Sequence, residues 1–251
     1  MNLIILGIIS VLSLYAEPPN PQSLLEKWDR ETSLQDGTYK MKIVGESPVR
    51  AETDLFLFSL DKSKRLYQFI DYHGDIVSKL LVDGTTTTMH SSNINKSEIF
   101  KFSIQDAVQM DVLDTSFSFF DLGGFSLEKN YKVDKMEEYK AKDAIYYKIE
   151  ASPLLLGSYK KLSLYFDKTT LNPYRIDFYN DSGSLVKILR VKYGKIPVET
   201  AGKKEEKSLI SEYEMTRMQN SEKSKVLFLN LRTYPLINSS LFQIKNLNFS
   251  K

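Results

Sequence analysis

The feature that most constrains the fold of this chain is a long series of short segments in which apolar and polar residues alternate. In the segment 38–44 (TYKMKIV), Tyr39, Met41 and Ile43 alternate with lysines, which is typical of a strand with one face in water. Asp83-Gly84 separates two such segments, a strong signal for a β-hairpin. Others lie at 54–60, 65–73, 76–82, 85–90, 129–135, 143–150, 159–166, 173–180, 183–193, 209–217 and 225–231. The sequence therefore predicts one antiparallel sheet.

Helical sequence is scarce and lies at the start, the middle and the end of the chain. Residues 21–31 predict a helix because a proline suits its first turn and Leu24, Leu25 and Trp28 fall on one face. Residues 91–128 lose the alternation, and Ser-x-x-Asp at 103–106 and 118–121 is typical of a helix start. The predicted fold is mainly β with a few helices: a strongly curved antiparallel sheet. It would be an open half-barrel of about 10–11 strands, with short helices covering the concave face.

The N-terminal segment has the pattern of an export signal. Leu3–Ala16 is apolar apart from two serines and carries no charge. Its 14 residues are fewer than the roughly 20 that a membrane-spanning helix needs. We therefore interpret residues 1–16 as a signal peptide cleaved near Ala16, and residues 17–251 as a single periplasmic domain. An uncleaved membrane anchor is the alternative.

Composition excludes several function classes. The 251-residue chain has no cysteine, which excludes disulfides, thiolate catalysis, iron–sulfur clusters and cysteine zinc sites. A net charge of +2 is too small to give the positive electrostatic potential with which proteins bind nucleic acid. The sequence contains no G-x-S-x-G, P-loop, G-x-G-x-x-G or H-E-x-x-H motif. We interpret both histidines, His73 and His90, as exposed turn residues. We therefore expect a protein that is not an enzyme, with no catalytic residues, no cofactor and no metal site.

Apolar side chains on the strands are the remaining functional signal. A curved sheet of this size needs its buried face covered, yet helical sequence is scarce, so the concave face could hold an apolar cavity. An ordinary sheet core is the alternative interpretation. The residues predicted to line a hydrophobic ligand cavity are Leu24, Trp28, Phe56, Phe58, Phe69, Leu80, Phe117, Phe120, Leu164, Phe166, Ile176 and Phe178.

Three motifs, taken in order, resemble those of a known family. Residues 115–122 (TSFSFFDL) are similar to the S-x-F-S-(aromatic)-x-D-L run of the outer-membrane lipoprotein-sorting family, the LolA/LolB-like carriers. Two further matches resemble the next two steps of that family's pattern: residues 165–170 (YFDKTT) before 172–174 (NPY), and residues 178–183 (FYNDSG) before 185–187 (LVK). The family often has Gly-Ser where Thr115-Ser116 stands. Its carriers also place an arginine near the second strand that controls lid closure, and Arg50 and Arg65 bracket that place.

The resemblance implies a half-barrel that carries acyl chains of lipids or lipoproteins across the periplasm. Helices at 21–31 and 104–122 would form a movable lid, with Leu25 and Val108 facing the cavity beside the lid residues named above. The protein would be a soluble monomer whose partners include an inner-membrane transporter and an outer-membrane acceptor. The alternative is a regulatory or sensor module of the same fold, in which the sheet is fully packed and binds a protein partner.

Overall fold

The described residues form one large sheet with little helix. The computed structural model describes residues 17–32, 36–45, 51–61, 64–71, 73–83, 86–91, 98–102, 111–112, 115–118, 121, 126–142, 144–154, 159–233 and 237–247. The helices are α1 (Pro21–Thr32), α2 (Leu127–Asn130) and two 3-10 turns (Ser239–Phe242 and Ile244–Asn246). The strands are β1 (Gly37–Gly45), β2 (Ala51–Leu60), β3 (Lys64–Ile70), β4 (Ile76–Asp83), β5 (Thr86–Ser91), β6 (Glu98–Phe102), β7 (Tyr131–Lys140), β8 (Ile145–Pro153), β9 (Lys161–Asp167), β10 (Pro173–Tyr179), β11 (Leu185–Thr200), β12 (Lys203–Arg217) and β13 (Lys223–Arg232).

The strand order is β6-β5-β4-β3-β2-β1-β13-β12-β11-β10-β9-β8-β7, so β6 and β7 are the two edges of an open sheet. All neighbouring strands are antiparallel, and β11 makes one additional parallel contact with the end of β13. The predicted curved, open antiparallel sheet is confirmed. The described residues form thirteen strands, more than the predicted 10–11. One of them, β6, has only five residues and lies in the stretch where alternation was not visible.

One continuous apolar cluster covers one face of the sheet, with members in β1–β4 and in β7–β13, and it includes residues of α1. We call the face that carries this cluster the inner face and the opposite one the outer face. In β1, Tyr39, Met41 and Ile43 are buried in the cluster while Lys40 is exposed, as the alternation predicts. The inner face therefore contains the main core, and α1 packs on it through Leu24.

A second, smaller apolar cluster lies on the outer face. It joins Leu66 of β3 and Leu81 of β4 to Phe242 of the first C-terminal 3-10 turn and to Leu247, the residue after the second turn. Asn238 begins the first of these turns by accepting a hydrogen bond from the backbone N–H of Ser240, at 2.9 Å. The C-terminal segment thus covers part of the outer face.

The β11–β12 hairpin is longer than the sequence predicts. Strand β11 continues to Thr200, and β12 begins with the charged residues from Lys203 onward. The two are joined by a turn at Ala201-Gly202, whose φ angles are 49° and 79°. Two consecutive residues with positive φ are what a tight two-residue hairpin turn requires. None of the helices in the described part of the chain is long and apolar enough to cross a membrane. The predicted signal peptide lies outside the described residues.

Candidate functional site

The inner face brings together nine of the twelve residues predicted to line a cavity. Each is at most 4% exposed, and all belong to the single cluster of the inner face. They are Leu24, Trp28, Phe69, Leu80, Phe117, Leu164, Phe166, Ile176 and Phe178. Whether they contact a ligand stays a prediction.

The other three residues of that set do not join them. Phe56 and Phe58 lie on the outer face, because Leu55 and Leu57 occupy the inner positions of β2. Phe58 packs against the outer cluster, and Phe56 is 37% exposed. The placement of these two side chains in one inner cavity was therefore wrong. Phe120, together with most of the predicted helix 104–122, lies outside the described residues.

Helix α1 is attached to the sheet by apolar and polar contacts. Leu24, Leu25 and Trp28 are buried, and the Trp28 ring stands edge-on to Phe166 at a centroid distance of 5.8 Å. Asp29 follows Trp28 in α1, and its carboxylate accepts hydrogen bonds from Ser126 Oγ at 2.6 Å and from the first two backbone N–H groups of α2. Burial raises the pKa of the Asp29 carboxyl above 3.8, and these hydrogen bonds oppose that shift.

The family-like motif at 115–122 forms a buried polar clasp, which we define as residues 115–118 and 121. Asp121 accepts hydrogen bonds from Ser118 N at 2.7 Å, from Ser118 Oγ at 2.9 Å and from Tyr159 OH at 3.3 Å. Lys187 Nζ of β11 completes the set at 3.0 Å. The Ser118–Asp121 capping interaction predicted from the sequence is confirmed. Burial, with the Asp121 charge adding to it, raises the pKa of Tyr159 well above its usual value.

The clasp is also bonded to the adjoining ends of β12 and β13. Ser116 N donates to Ser224 Oγ at 2.9 Å, and Arg217 donates to the Thr115 carbonyl at 3.1 Å. Arg217 also pairs with Asp111 at 2.7 Å. Through these bonds the clasp places Phe117 in the inner cluster, so its polar residues position an apolar side chain.

A small cavity remains between α1, the clasp and the sheet. Its volume is about 80 Å³. Trp28, Phe117, Ile176 and Phe178 of the predicted set contribute to its walls. The other lining residues are Thr32, Arg65, Asp121, Leu127, Leu189 and Tyr213.

Arg65, one of the two arginines that bracket the place of the family's lid arginine, lines this cavity. Its side chain enters from β3 and is 8% exposed, while Arg50 lies outside the described residues. Burial raises the pKa of Tyr67 and Tyr213, and the nearby Arg65 charge opposes both shifts. Sequence reasoning missed Tyr213, although its place opposite Val191 and Val226 in the sheet makes it an inner residue.

A larger groove, of about 710 Å³, lies on the outer face between the C-terminal segment and the β11–β12 hairpin. Phe56 and Phe58 are part of its lining. No sequence pattern pointed to it, because the groove forms between strands that are distant along the chain.

Neither histidine forms a metal site within the described residues, where no group of three His, Cys, Asp or Glu side chains could hold a metal ion. His90 is not an exposed turn residue as expected, since it lies in β5 and is fully buried. Burial lowers the pKa of His90 below 6.5, and the nearby Lys79 charge adds to the shift.

Comparison with known proteins identifies the family and the fold. A family model described as "Uncharacterized protein" matches residues 103–248, more than half of the chain. The chain belongs to this family. A search of curated proteins finds no match to this chain.

Solved structures show that the fold is that of the LolA superfamily. A LolA superfamily protein from Nitrosomonas europaea superposes with a TM-score of 0.72 at 17% identity, covering 92% of this chain and 100% of its own. A DUF1329 family protein from Desulfovibrio piger gives 0.71 at 16% identity, covering 91% and 98%. A protein domain from Vibrio parahaemolyticus, described as outer membrane lipoprotein-sorting, gives 0.70 at 15% identity, covering 91% and 99%. The resemblance to LolA/LolB-like carriers is therefore confirmed for the fold.

Proposed function

We propose that this protein is a periplasmic carrier or binding protein for acyl chains of lipids or lipoproteins, exported by a signal peptide cleaved near Ala16. The proposal includes no catalytic step. An inner-membrane donor and an outer-membrane acceptor would exchange the ligand with it. The shared fold with the lipoprotein-sorting domain from Vibrio parahaemolyticus supports this function without naming the ligand.

One observation carries the proposal: the inner face is apolar across the sheet, and non-covalent contacts alone hold its covering elements there. Burying one CH₂ group is worth about 0.8 kcal/mol, so a chain of about 16 carbons gains roughly 13 kcal/mol. Association costs about 4–15 kcal/mol of this gain. The net affinity would be moderate, as a carrier that must release its ligand requires.

The ligand would enter by displacing α1, the clasp or both. The cavity of about 80 Å³ is smaller than the roughly 300–1,000 Å³ of typical small-molecule sites, so the covering elements must move before a chain can enter. Trp28 and Phe117 project from the two covering elements into the shared cavity. An acyl chain would occupy the space between these two rings and the side chains of Ile176 and Phe178, which line the same cavity.

The test combines ligand identification with a filled-cavity variant. We expect mass spectrometry of organic extracts of the purified protein to detect lipid, and dansyl-labelled undecanoic acid to bind the delipidated protein. Leu189→Phe adds volume to the cavity wall and should weaken probe binding about tenfold, or 1.4 kcal/mol. Leu229→Phe, at a side chain that is 39% exposed, is the matched control. Equal probe affinity of both folded variants and the wild type would contradict the cavity assignment.

A regulatory module that binds a protein partner is the second candidate. The small volume of the inner cavity favours it, since a nearly filled inner face needs no ligand. If the extracts contain no lipid and Leu189→Phe leaves probe binding unchanged, while affinity purification recovers one stoichiometric protein partner, this candidate replaces the carrier.

A further inference from the structure

The groove on the outer face has an apolar side and a charged side. The strand register shows this as a row of five residues, each paired with the next on the neighbouring strand. The row consists of Phe58 on β2, Thr38 on β1, Arg232 on β13, Glu199 on β11 and Lys204 on β12. Directly paired residues on neighbouring strands share one face of the sheet. The row therefore runs from an aromatic ring at one end to a lysine at the other.

The apolar side continues onto the C-terminal segment. Ile237 and Leu241 line the groove beside Phe56 and Phe58. With 37% of its surface exposed, Phe56 is one of the larger apolar side chains left open to solvent. A volume of about 710 Å³ falls within the roughly 300–1,000 Å³ range of small-molecule sites.

The ionic residues that line the groove carry an excess of positive charge: Lys204 lies at its charged end, and Lys40 lies beside Phe56. Among the described residues, Glu199 is the one acidic residue that lines the groove, and it pairs with Arg232 at 3.3 Å. Within the described part of the chain, neither Lys40 nor Lys204 has a carboxylate within 4.0 Å, and both lysines are exposed. The groove thus offers two ammonium groups to a ligand.

We propose that this groove binds a medium-chain fatty acid, with its carboxylate at Lys40 and Lys204 and its alkyl chain along Phe56, Phe58, Ile237 and Leu241. The charge excess and the apolar wall together match a ligand that has one anionic end and one apolar chain. The site lies on the opposite face of the sheet from the cavity of the proposed function, and it does not depend on that function.

The test is calorimetric titration of sodium dodecanoate into the full-length mature protein. The double variant Lys40→Glu plus Lys204→Glu should bind about tenfold or more weakly, because two attractions become repulsions. Lys203→Glu is the matched control, since Lys203 is the neighbour of Lys204 on β12 but does not line the groove. Phe56→Ser should weaken binding several-fold, with Leu229→Ser as its control at similar exposure.

Three results would overturn the proposal: no binding of dodecanoate to the wild type, equal affinity for dodecanol, or equal affinity of the double variant and Lys203→Glu. The inner cavity is tested separately. Binding in the groove leaves Trp28 fluorescence unchanged and survives Leu189→Phe, because both residues face the other side of the sheet. Loss of binding in Leu189→Phe alone would assign dodecanoate to the inner cavity and overturn the groove assignment.

Discussion

Replacing Lys187 by methionine tests whether the buried ion pair holds the clasp on the sheet. The Lys187 side chain is 9% exposed and that of Asp121 is 1% exposed, with 3.0 Å between Nζ and the carboxylate. Methionine keeps most of the apolar stem of lysine and removes the charge. Asp121 then retains three neutral donors, from Ser118 and Tyr159.

The expected cost follows from this environment. Removing one partner of a buried ion pair typically costs about 3–5 kcal/mol, because the other charge is left uncompensated. The three remaining donors solvate the Asp121 carboxylate, so we expect a value near the lower limit, about 3 kcal/mol. For a domain of about 150–250 residues this lowers the Tm by roughly 6–12 °C. The double variant Asp121→Asn plus Lys187→Met leaves no unpaired charge, so the two effects should be less than additive by about 2 kcal/mol.

Urea unfolding followed by circular dichroism measures these differences. Lys192→Met is the control on the same strand, because Lys192 pairs with Glu212 at 2.7 Å but its side chain is 51% exposed. An exposed pair contributes about 0–1 kcal/mol. If Lys187→Met costs no more than Lys192→Met, or if the double variant is additive, the buried pair does not hold the clasp.

Three further predictions concern the elements that surround the sheet. Asp29→Ala removes three hydrogen bonds between α1 and the start of α2, and should lower the unfolding free energy in urea by about 1–3 kcal/mol; a change below about 0.5 kcal/mol would contradict this. Phe242→Ala should cost about 3 kcal/mol by opening the outer cluster, and a Tm equal to that of the wild type would show that the C-terminal segment does not stabilise the sheet. Because burial lowers the pKa of His90 in the folded state, the unfolded state binds its proton more tightly, so stability should fall as the pH drops below about 6.5. His90→Gln should lose this part of the pH dependence of the Tm between about pH 7 and pH 5, and an unchanged profile would contradict it.

Much of the fold was visible in the sequence where one face of an element is wet. In α1, the buried positions Leu24, Leu25 and Trp28 stand out against charged neighbours. In β1, lysines mark the outer face. The capping pair at Ser118 and Asp121 was also readable, because it is local in sequence.

Strand β2 shows why two site residues were placed on the wrong face. Leu55-Phe56-Leu57-Phe58 is apolar at every position, so its period does not reveal which side faces the core. The structure decides through register, since Leu57 pairs with Tyr39 and Phe56 pairs with Lys40. Register between strands depends on the loop that joins them, and the alternation of one strand does not contain it.

The outer groove and the polar side of the inner cavity depend on contacts between distant segments. Lys204 and Phe58 are nearly 150 residues apart and line the same groove. Lys187 reads as one of many surface lysines, yet it becomes buried because Asp121 approaches it from a different element. Composition and periodicity describe each segment separately, so they contain no signal for contacts between distant segments.

The central claim is that acyl chains bind the inner face beneath α1, and Trp28 provides a direct measurement because it is the one tryptophan of the chain. Its ring is 4% exposed and lies in the cavity wall, so a bromine on a chain in that cavity would come into contact with it. Titration of delipidated protein with mid-chain-brominated stearic acid should quench Trp28 fluorescence saturably, and unbrominated stearic acid should reverse the quenching. Calorimetric binding of the brominated acid without quenching of Trp28 would contradict the claim.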